Sequence, residues 1–121
     1  MFSLKVTESF SAGHQLKGYR GKCEAVHGHN FKVEVMVEGD QLDKCGLLID
    51  FKLLKKLLDG VLDKLDHTLL NKVPPFNKIN PSAENLAKYI FEKLEKKLPA
   101  GVELVETCVW ESESAGASYR P

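Results

Sequence analysis

Two segments in the first forty residues alternate between apolar and polar side chains with a period of two. In the first, residues 2 to 14, one parity is mainly apolar and its last position is His14. In the second, residues 27 to 38, His27 and His29 occupy the parity that continues with phenylalanine and valine. Successive side chains of a β-strand point to opposite faces, so each segment predicts a half-buried strand. The two strands are expected to pair antiparallel.

Two later segments carry apolar residues at helical spacing. Asp50 is a good N-cap for the first, whose leucines recur with a period near 3.6. Gly60 lies inside this pattern and weakens a helix slightly without ending it. The second helix is predicted to begin after Asn80 or Ser82 and to stop at the Pro-Ala-Gly run at 99–101.

Alternation returns after the second helix. Residues 102 to 111 predict a third strand, and residues 115 to 121 predict a short fourth strand after a turn. The order is therefore ββααββ, which is typical of the α+β class: an antiparallel sheet with two helices on one face. The length fits a single domain over residues 1–121, and no linker or internal repeat interrupts it.

Charge and hydropathy narrow the function classes. Lysine plus arginine number 17 and so do aspartate plus glutamate. This balance argues against a broad basic surface for nucleic acid or an acidic membrane, although a small anionic ligand needs only a local cluster. No stretch approaches the roughly 20 apolar residues of a membrane span, and the alternating N-terminus is unlike a signal peptide. A cytoplasmic protein is expected.

The three cysteines do not form a disulfide framework on this evidence. The number of cysteines is odd, they are widely spaced and no C-x-x-C motif occurs. They are Cys23, Cys45 and Cys108. Cys45 and Cys108 are expected to be small core residues without a role. Cys23 lies near Arg20 and Lys22, whose positive charges can lower a thiol's pKa and prepare it for proton transfer.

The histidines are the strongest chemical signal. Alternate residues of a strand share a face about 6 to 7 Å apart, so His27 and His29 present both imidazoles together. Strand pairing brings His14 beside them, and zinc with three protein ligands and one open position is the catalytic arrangement. Two alternatives remain open: core histidines satisfied by hydrogen bonds, and a closed structural site in which Cys23 is the fourth ligand.

Asp66 and His67 follow the first helical segment and can form a carboxylate–imidazole pair for proton relay. On pattern alone, such a pair is more often a surface or capping feature. Glu111 ends the third predicted strand, where an apolar residue is the usual choice, and it is either a ligand-binding carboxylate or an ordinary exposed strand end.

Six motifs occur in order along nearly the whole chain: "FSAGH" (10–14), "CEAVHGHNF" (23–31), "GLLIDF" (46–51), "LDHTLLN" (65–71), "NPSAENLA" (80–87) and "WESESAGASY" (110–119). As a set they resemble the 6-pyruvoyltetrahydropterin synthase / 6-carboxytetrahydropterin synthase family of the tunnelling fold. The spacing Cys-x-x-x-His-Gly-His resembles the bacterial 6-carboxytetrahydropterin synthases of queuosine biosynthesis. The animal biopterin enzyme has a longer gap.

This resemblance implies that the three histidines bind Zn²⁺ and that Cys23 is the catalytic base. It makes Asp66 and His67 proton-relay partners supplied by a neighbouring subunit. The active site then needs a homo-oligomer, commonly a hexamer of two trimers in which the sheets form a barrel. Glu111 becomes the anchor for the pterin ring.

The implied reaction converts 7,8-dihydroneopterin triphosphate to 6-carboxytetrahydropterin, acetaldehyde and triphosphate. Glu24 keeps a second product open, because a related folate-route branch has a glutamate in place of the cysteine and forms 6-hydroxymethyl-7,8-dihydropterin. A chain with both Cys23 and Glu24 resembles members able to catalyse either reaction. A third alternative is a non-catalytic structural Cys-His₃ zinc module that scaffolds an oligomer.

Overall fold

The computed structural model describes residues 1–18 and 24–121. Two long strands come first, followed by two helices and three further strands. The elements are β1 (Phe2–His14), β2 (His27–Gly39), α1 (Phe51–Leu62), β3 (Thr68–Leu69), a 3₁₀ turn (Leu70–Lys72), α2 (Ala83–Glu95), β4 (Glu103–Trp110) and β5 (Gly116–Tyr119). The predicted strands and helices are therefore present in the predicted order.

The strands form one five-stranded sheet in the order β3-β1-β2-β4-β5. β1 and β2 pair antiparallel over their full length, from Phe2 opposite Gly39 to His14 opposite His27. The α+β class is confirmed with one addition, because β3 pairs parallel with β1 and makes the sheet mixed. A two-residue strand is too short to show an alternating pattern, which is why the sequence predicts a wholly antiparallel sheet.

Both helices begin at a side-chain cap. The Asp50 carboxylate accepts a hydrogen bond from the Lys52 amide at 2.8 Å, as predicted for the first helix. Of the two candidates for the second helix, Ser82 is the cap, and its hydroxyl accepts from the Asn85 amide at 3.1 Å. Each cap satisfies one of the backbone donors left free at a helix start.

The core lies between one face of the sheet and the two helices. Apolar residues of β1 and β2 meet the leucine-rich faces of α1 and α2, and the Phe10 and Phe31 rings stack with centroids 4.9 Å apart. His14, His27 and His29 continue this same parity at one end of β1 and β2. The histidines are therefore carried by strands whose other inward residues are fixed in the core.

The two cysteines outside the histidine region differ from each other. Cys108 is buried in β4, as predicted, but the prediction for Cys45 is wrong because that residue is exposed. Cys45 lies in a turn where its amide donates to the Asp43 carboxylate at 2.7 Å. Among the described residues, no helix combines the length and the apolar character needed to cross a membrane.

Replacing Gly60 by alanine is expected to stabilise the protein by about 0.5–1 kcal/mol, because glycine inside a helix loses more backbone entropy on folding than alanine does. Gly60 is an exposed residue of α1, and an added methyl carbon would meet only the Lys97 amine at 3.5 Å. Urea denaturation at fixed protomer concentration measures the change. Gly116→Ala is the opposing control, since its Cβ would lie 2.6 Å from Cδ2 of Trp110. An unchanged or lowered midpoint for Gly60→Ala would contradict the prediction.

Candidate metal centre and active site

The three predicted histidines converge at the end of the β1–β2 pair. His14 lies opposite His27 in the ladder, and His29 shares the face of His27 two residues further along β2. The ring centroids of the three imidazoles are separated by 4.7 to 5.0 Å. One nitrogen from each ring lies within 4.8 Å of the other two, so the three side chains can hold one metal ion.

Backbone carbonyls orient two of these rings. The Nδ1–H of His14 points at the Pro81 carbonyl, 2.8 Å away, and that of His27 points at the Ala25 carbonyl, 3.0 Å away. Because a carbonyl can only accept, Nδ1 carries a hydrogen in both rings, and Nε2 is the nitrogen left to bind a metal. This is the usual arrangement around metal-binding histidines. Sequence reasoning missed both carbonyls, since any residue can supply one.

Two of the ring nitrogens are buried without a hydrogen-bond partner in the part of the chain that the structure describes. They are Nε2 of His14 and Nε2 of His29. An unsatisfied buried polar group costs about 1–3 kcal/mol, so this pair needs an explanation. Burial also lowers the pKa of His29, although the nearby Glu111 carboxylate opposes this effect. Because a metal binds the neutral form of an imidazole, this lowered pKa favours metal binding by His29.

Glu111 lies directly beside this cluster. Its carboxylate Oε1 is 3.7 Å from Nε2 of the fully buried His14, and about one third of its side chain is exposed. Its amide donates to the Ala115 carbonyl at 3.1 Å, which fixes the turn between β4 and β5. The side chain borders a groove of about 290 Å³ that the start of α2 also lines, through Ser82 and Glu84 among others. A ligand in this groove can reach the Glu111 carboxylate, which in turn lies beside the histidine cluster.

Asp66 and His67 form the predicted pair, with Oδ2 and Nδ1 3.0 Å apart. The other carboxylate oxygen of Asp66 accepts from the Ser11 amide at 2.9 Å, and this bond, together with those from His67, holds the Asp66 pKa below its ordinary value. The His67 backbone is left-handed, with φ of 57°, and its side chain is 82% exposed. The pair is therefore built into the fold but faces solvent in the protomer.

A second open groove, of about 390 Å³ and separate from the one beside Glu111, has both His67 and His29 among its walls. Gly28, between the two strand histidines, also lines it, and an added methyl carbon there would meet only the Ala12 carbonyl at 3.9 Å. His67 and His29 therefore border a common opening in the protomer. The three-histidine cluster itself does not include His67.

The "CEAVHGHNF" motif begins with two candidate functional residues, Cys23 and Glu24. Cys23 lies outside the described residues. Glu24 is described, and its Oε1 accepts from the Leu16 amide at 3.3 Å and lies 3.9 Å from Nδ1 of His27. The structure therefore brings Glu24 to the edge of the histidine cluster.

Comparison with known proteins gives consistent matches. A family model described as 6-pyruvoyl tetrahydropterin synthase matches residues 3–121. Dihydroneopterin monophosphate aldolase of Pyrococcus furiosus is 43% identical over 108 residues, which cover 89% of this chain and 88% of that protein. The 6-carboxy-5,6,7,8-tetrahydropterin synthase of Synechocystis sp. is 40% identical over 108 residues, covering 83% of this chain and 82% of that protein. The structure of 6-pyruvoyl tetrahydropterin synthase from Caenorhabditis elegans superposes with a TM-score of 0.83 and 28% identity, covering 99% of this chain and 95% of that one.

Proposed function

The chain belongs to the 6-pyruvoyl tetrahydropterin synthase family, and from this we propose that it is a zinc-dependent 6-carboxy-5,6,7,8-tetrahydropterin synthase. The substrate is 7,8-dihydroneopterin triphosphate and the pathway is queuosine biosynthesis. Relatives named as tetrahydropterin synthases support an enzyme that acts on a pterin. The observation that carries the proposal is the pair of buried imidazole nitrogens, Nε2 of His14 and of His29, which have no hydrogen-bond partner among the described residues and the first of which lies 3.7 Å from the Glu111 carboxylate.

The donor set fits zinc. His14, His27 and His29 can supply the three protein ligands of a catalytic zinc site, in which water or substrate takes the fourth position. Zinc held there supplies Lewis-acid polarisation of the substrate's side-chain hydroxyl oxygens. The carbonyls of Pro81 and Ala25 keep two of the rings turned towards that position.

Glu111 is assigned to the pterin ring. A pterin displays an amino group and a ring N–H side by side, an edge similar to that of a guanidinium group. One carboxylate can accept both hydrogen bonds, as it does from arginine. The 3.7 Å distance from Glu111 to the His14 ring supports a ligand whose ring is held by the carboxylate while its side chain reaches the histidines.

Proton transfer is assigned to Cys23, Asp66 and His67. The Cys23 thiolate takes protons from the substrate side chain. The first carbon of that chain becomes the carboxyl group by gaining its second oxygen from water, and the last two carbons leave as acetaldehyde. Asp66 is kept ionised by the Ser11 amide and orients His67 through the 3.0 Å contact. His67 then exchanges protons with the thiol, and triphosphate is eliminated. The reaction is that of a lyase.

The proposed assembly is a cytoplasmic homo-oligomer of single-domain chains, a hexamer of two trimers with active sites between subunits. The exposed side chain of His67 supports this assignment, because a relay imidazole facing solvent in the protomer needs a further surface to complete its site. Its left-handed backbone also supports it, since such conformations cost about 1–3 kcal/mol and cluster at functional sites.

A second candidate function is the folate-route cleavage that yields 6-hydroxymethyl-7,8-dihydropterin, alone or alongside the first reaction. Two observations favour it. The Pyrococcus furiosus relative is named as a dihydroneopterin monophosphate aldolase. The Glu24 carboxylate lies 3.9 Å from the His27 ring, near enough to the cluster to act as a base on a bound side chain.

Zinc-loaded protein incubated with 7,8-dihydroneopterin triphosphate is expected to release acetaldehyde and 6-carboxytetrahydropterin, identified by mass spectrometry. Cys23→Ala is expected to keep its fold and its zinc and to lose about 10²- to 10⁴-fold in rate, the usual contribution of a positioned acid or base. Cys45→Ala, at an exposed thiol in a distant turn, is the matched control and should keep wild-type activity.

Three other results of these assays would support a different function or refute the proposal. A hydroxymethyl dihydropterin that disappears in Glu24→Ala establishes the folate-route activity. Loss of both zinc and folded structure in Cys23→Ala establishes a structural Cys-His₃ module. Absence of both products at full zinc occupancy refutes both enzyme proposals.

A further inference from the structure

Side-chain amides hold the chain where β1 ends. Beyond His14, the Asn71 amide pairs with both polar groups of the Gln15 backbone, accepting from N–H and donating to C=O, each at 2.9 Å. Asn80 does the same to Lys17, at 2.8 and 2.9 Å. The side chains of Asn71 and Asn80 thus satisfy the backbone groups of Gln15 and Lys17 that a neighbouring strand would otherwise bond. Each bond contributes about 0.5–1.5 kcal/mol, so four of them fix the segment firmly.

This segment in turn holds Glu24 at three points. The Gln15 side-chain amide donates to the Glu24 carbonyl at 2.9 Å. The Glu24 amide donates to the Leu16 carbonyl at 3.2 Å, and the Leu16 amide donates to the Glu24 carboxylate at 3.3 Å. The Gln15 contact is the shortest of the three. It is also the only one of the three that a side chain donates, so a substitution of Gln15 can remove it without altering the backbone or Glu24 itself.

The Glu24 carboxylate is not needed to orient the ring beside it. The Nδ1 hydrogen of His27 already has the Ala25 carbonyl as acceptor at 3.0 Å, while the carboxylate lies 3.9 Å away. About 30% of the Glu24 side chain is exposed. The contacts therefore fix the position of a carboxylate at the edge of the cluster without committing it to a structural ion pair.

We propose that Gln15 is a positioning residue that holds Glu24 beside the histidine cluster, and that Asn71 fixes Gln15 for this purpose. The inference rests on the second candidate function, in which Glu24 takes part in product formation. Gln15 and Asn71 thus influence product formation without contacting the substrate, because they act through the position of Glu24.

Gln15→Met tests the proposal, because methionine keeps the length of the side chain and removes the donor. Gln41→Met, at an exposed position beyond the opposite end of β2, is the matched control. Hydrogen exchange of the Leu16 and Glu24 amides, measured on the zinc-loaded protein, is expected to rise about ten-fold in Gln15→Met and in Asn71→Ala but not in the control. Amides in the middle of β1 and β2 should be unchanged.

Product analysis supplies the functional readout. Whichever product Glu24→Ala lowers, Gln15→Met is expected to lower by about three- to ten-fold through kcat, with KM and zinc content unchanged. Unchanged exchange in Gln15→Met refutes the proposal, and so does an equal loss of both products or a Glu24→Ala variant with full activity. A wild-type protein that binds zinc and forms neither product refutes the proposed function instead, and the exchange experiment then still decides whether Gln15 holds Glu24.

Discussion

Replacing His29 by alanine is expected to abolish stoichiometric zinc binding and to lower turnover by about 10³-fold or more. His29 supplies one of three converging nitrogens, and its Nε2 has no other partner among the described residues. A bound metal contributes several kcal/mol of charge stabilisation in a transition state, and about 4 kcal/mol corresponds to that factor. Metal per protomer, measured by elemental mass spectrometry after dialysis, and the rate of pterin product formation check the two parts.

His67→Ala is the matched control for this substitution. It also removes an imidazole, but the ring is exposed and outside the cluster, so its zinc content should equal that of the wild type. Because His14 is fully buried and bonded to Pro81, His14→Ala is the less suitable choice and is expected to lower thermal stability as well. Full zinc occupancy in a folded His29→Ala protein would show that the three histidines are not the metal site.

The histidine cluster is predictable from sequence for a simple reason. A strand has a period of two, and the apolar parity of β1 and β2 is fixed by residues such as Phe10 and Phe31 that stack in the core. Once that parity and the antiparallel pairing are known, His14 must lie near His27, with His29 on the same face. A register slip of one residue would place His14 and His27 on opposite faces, but it would also expose the core face.

The features that sequence reasoning did not predict depend on contacts between distant segments. The parallel pairing of Thr68 with Ala12 joins residues 56 positions apart and leaves no local pattern. The same holds for the amide of Asn71 on Gln15 and for the carbonyl of Pro81 on His14. These contacts use groups that many residues possess, so neither spacing nor residue type identifies them. Their effect is to position chemical groups that the sequence does reveal.

His67 can act on the histidine cluster of its own chain or on that of a neighbouring subunit. Within one protomer, His67 and His29 line a common open groove. The family resemblance instead implies that Asp66 and His67 reach the cluster of a neighbouring subunit. The 82% exposure of the His67 side chain is consistent with that arrangement. The two possibilities require different combinations of intact residues within an oligomer, so mixed oligomers can separate them.

Mixing His29→Ala protomers with His67→Ala protomers is expected to restore activity that neither variant has alone. In a shared site, the His67→Ala subunit supplies the intact metal cluster and the His29→Ala subunit supplies the intact relay. Random assembly at equal ratio makes about one quarter of the sites complete, so about one quarter of wild-type turnover should return. Co-refolding of differently tagged variants, with the hetero-oligomers verified by native mass spectrometry, provides the measurement. Mixing His29→Ala with His14→Ala is the control and should stay inactive, since both substitutions damage a cluster that comes from one chain. If verified mixed oligomers of the first pair also stay inactive, His67 acts within its own protomer.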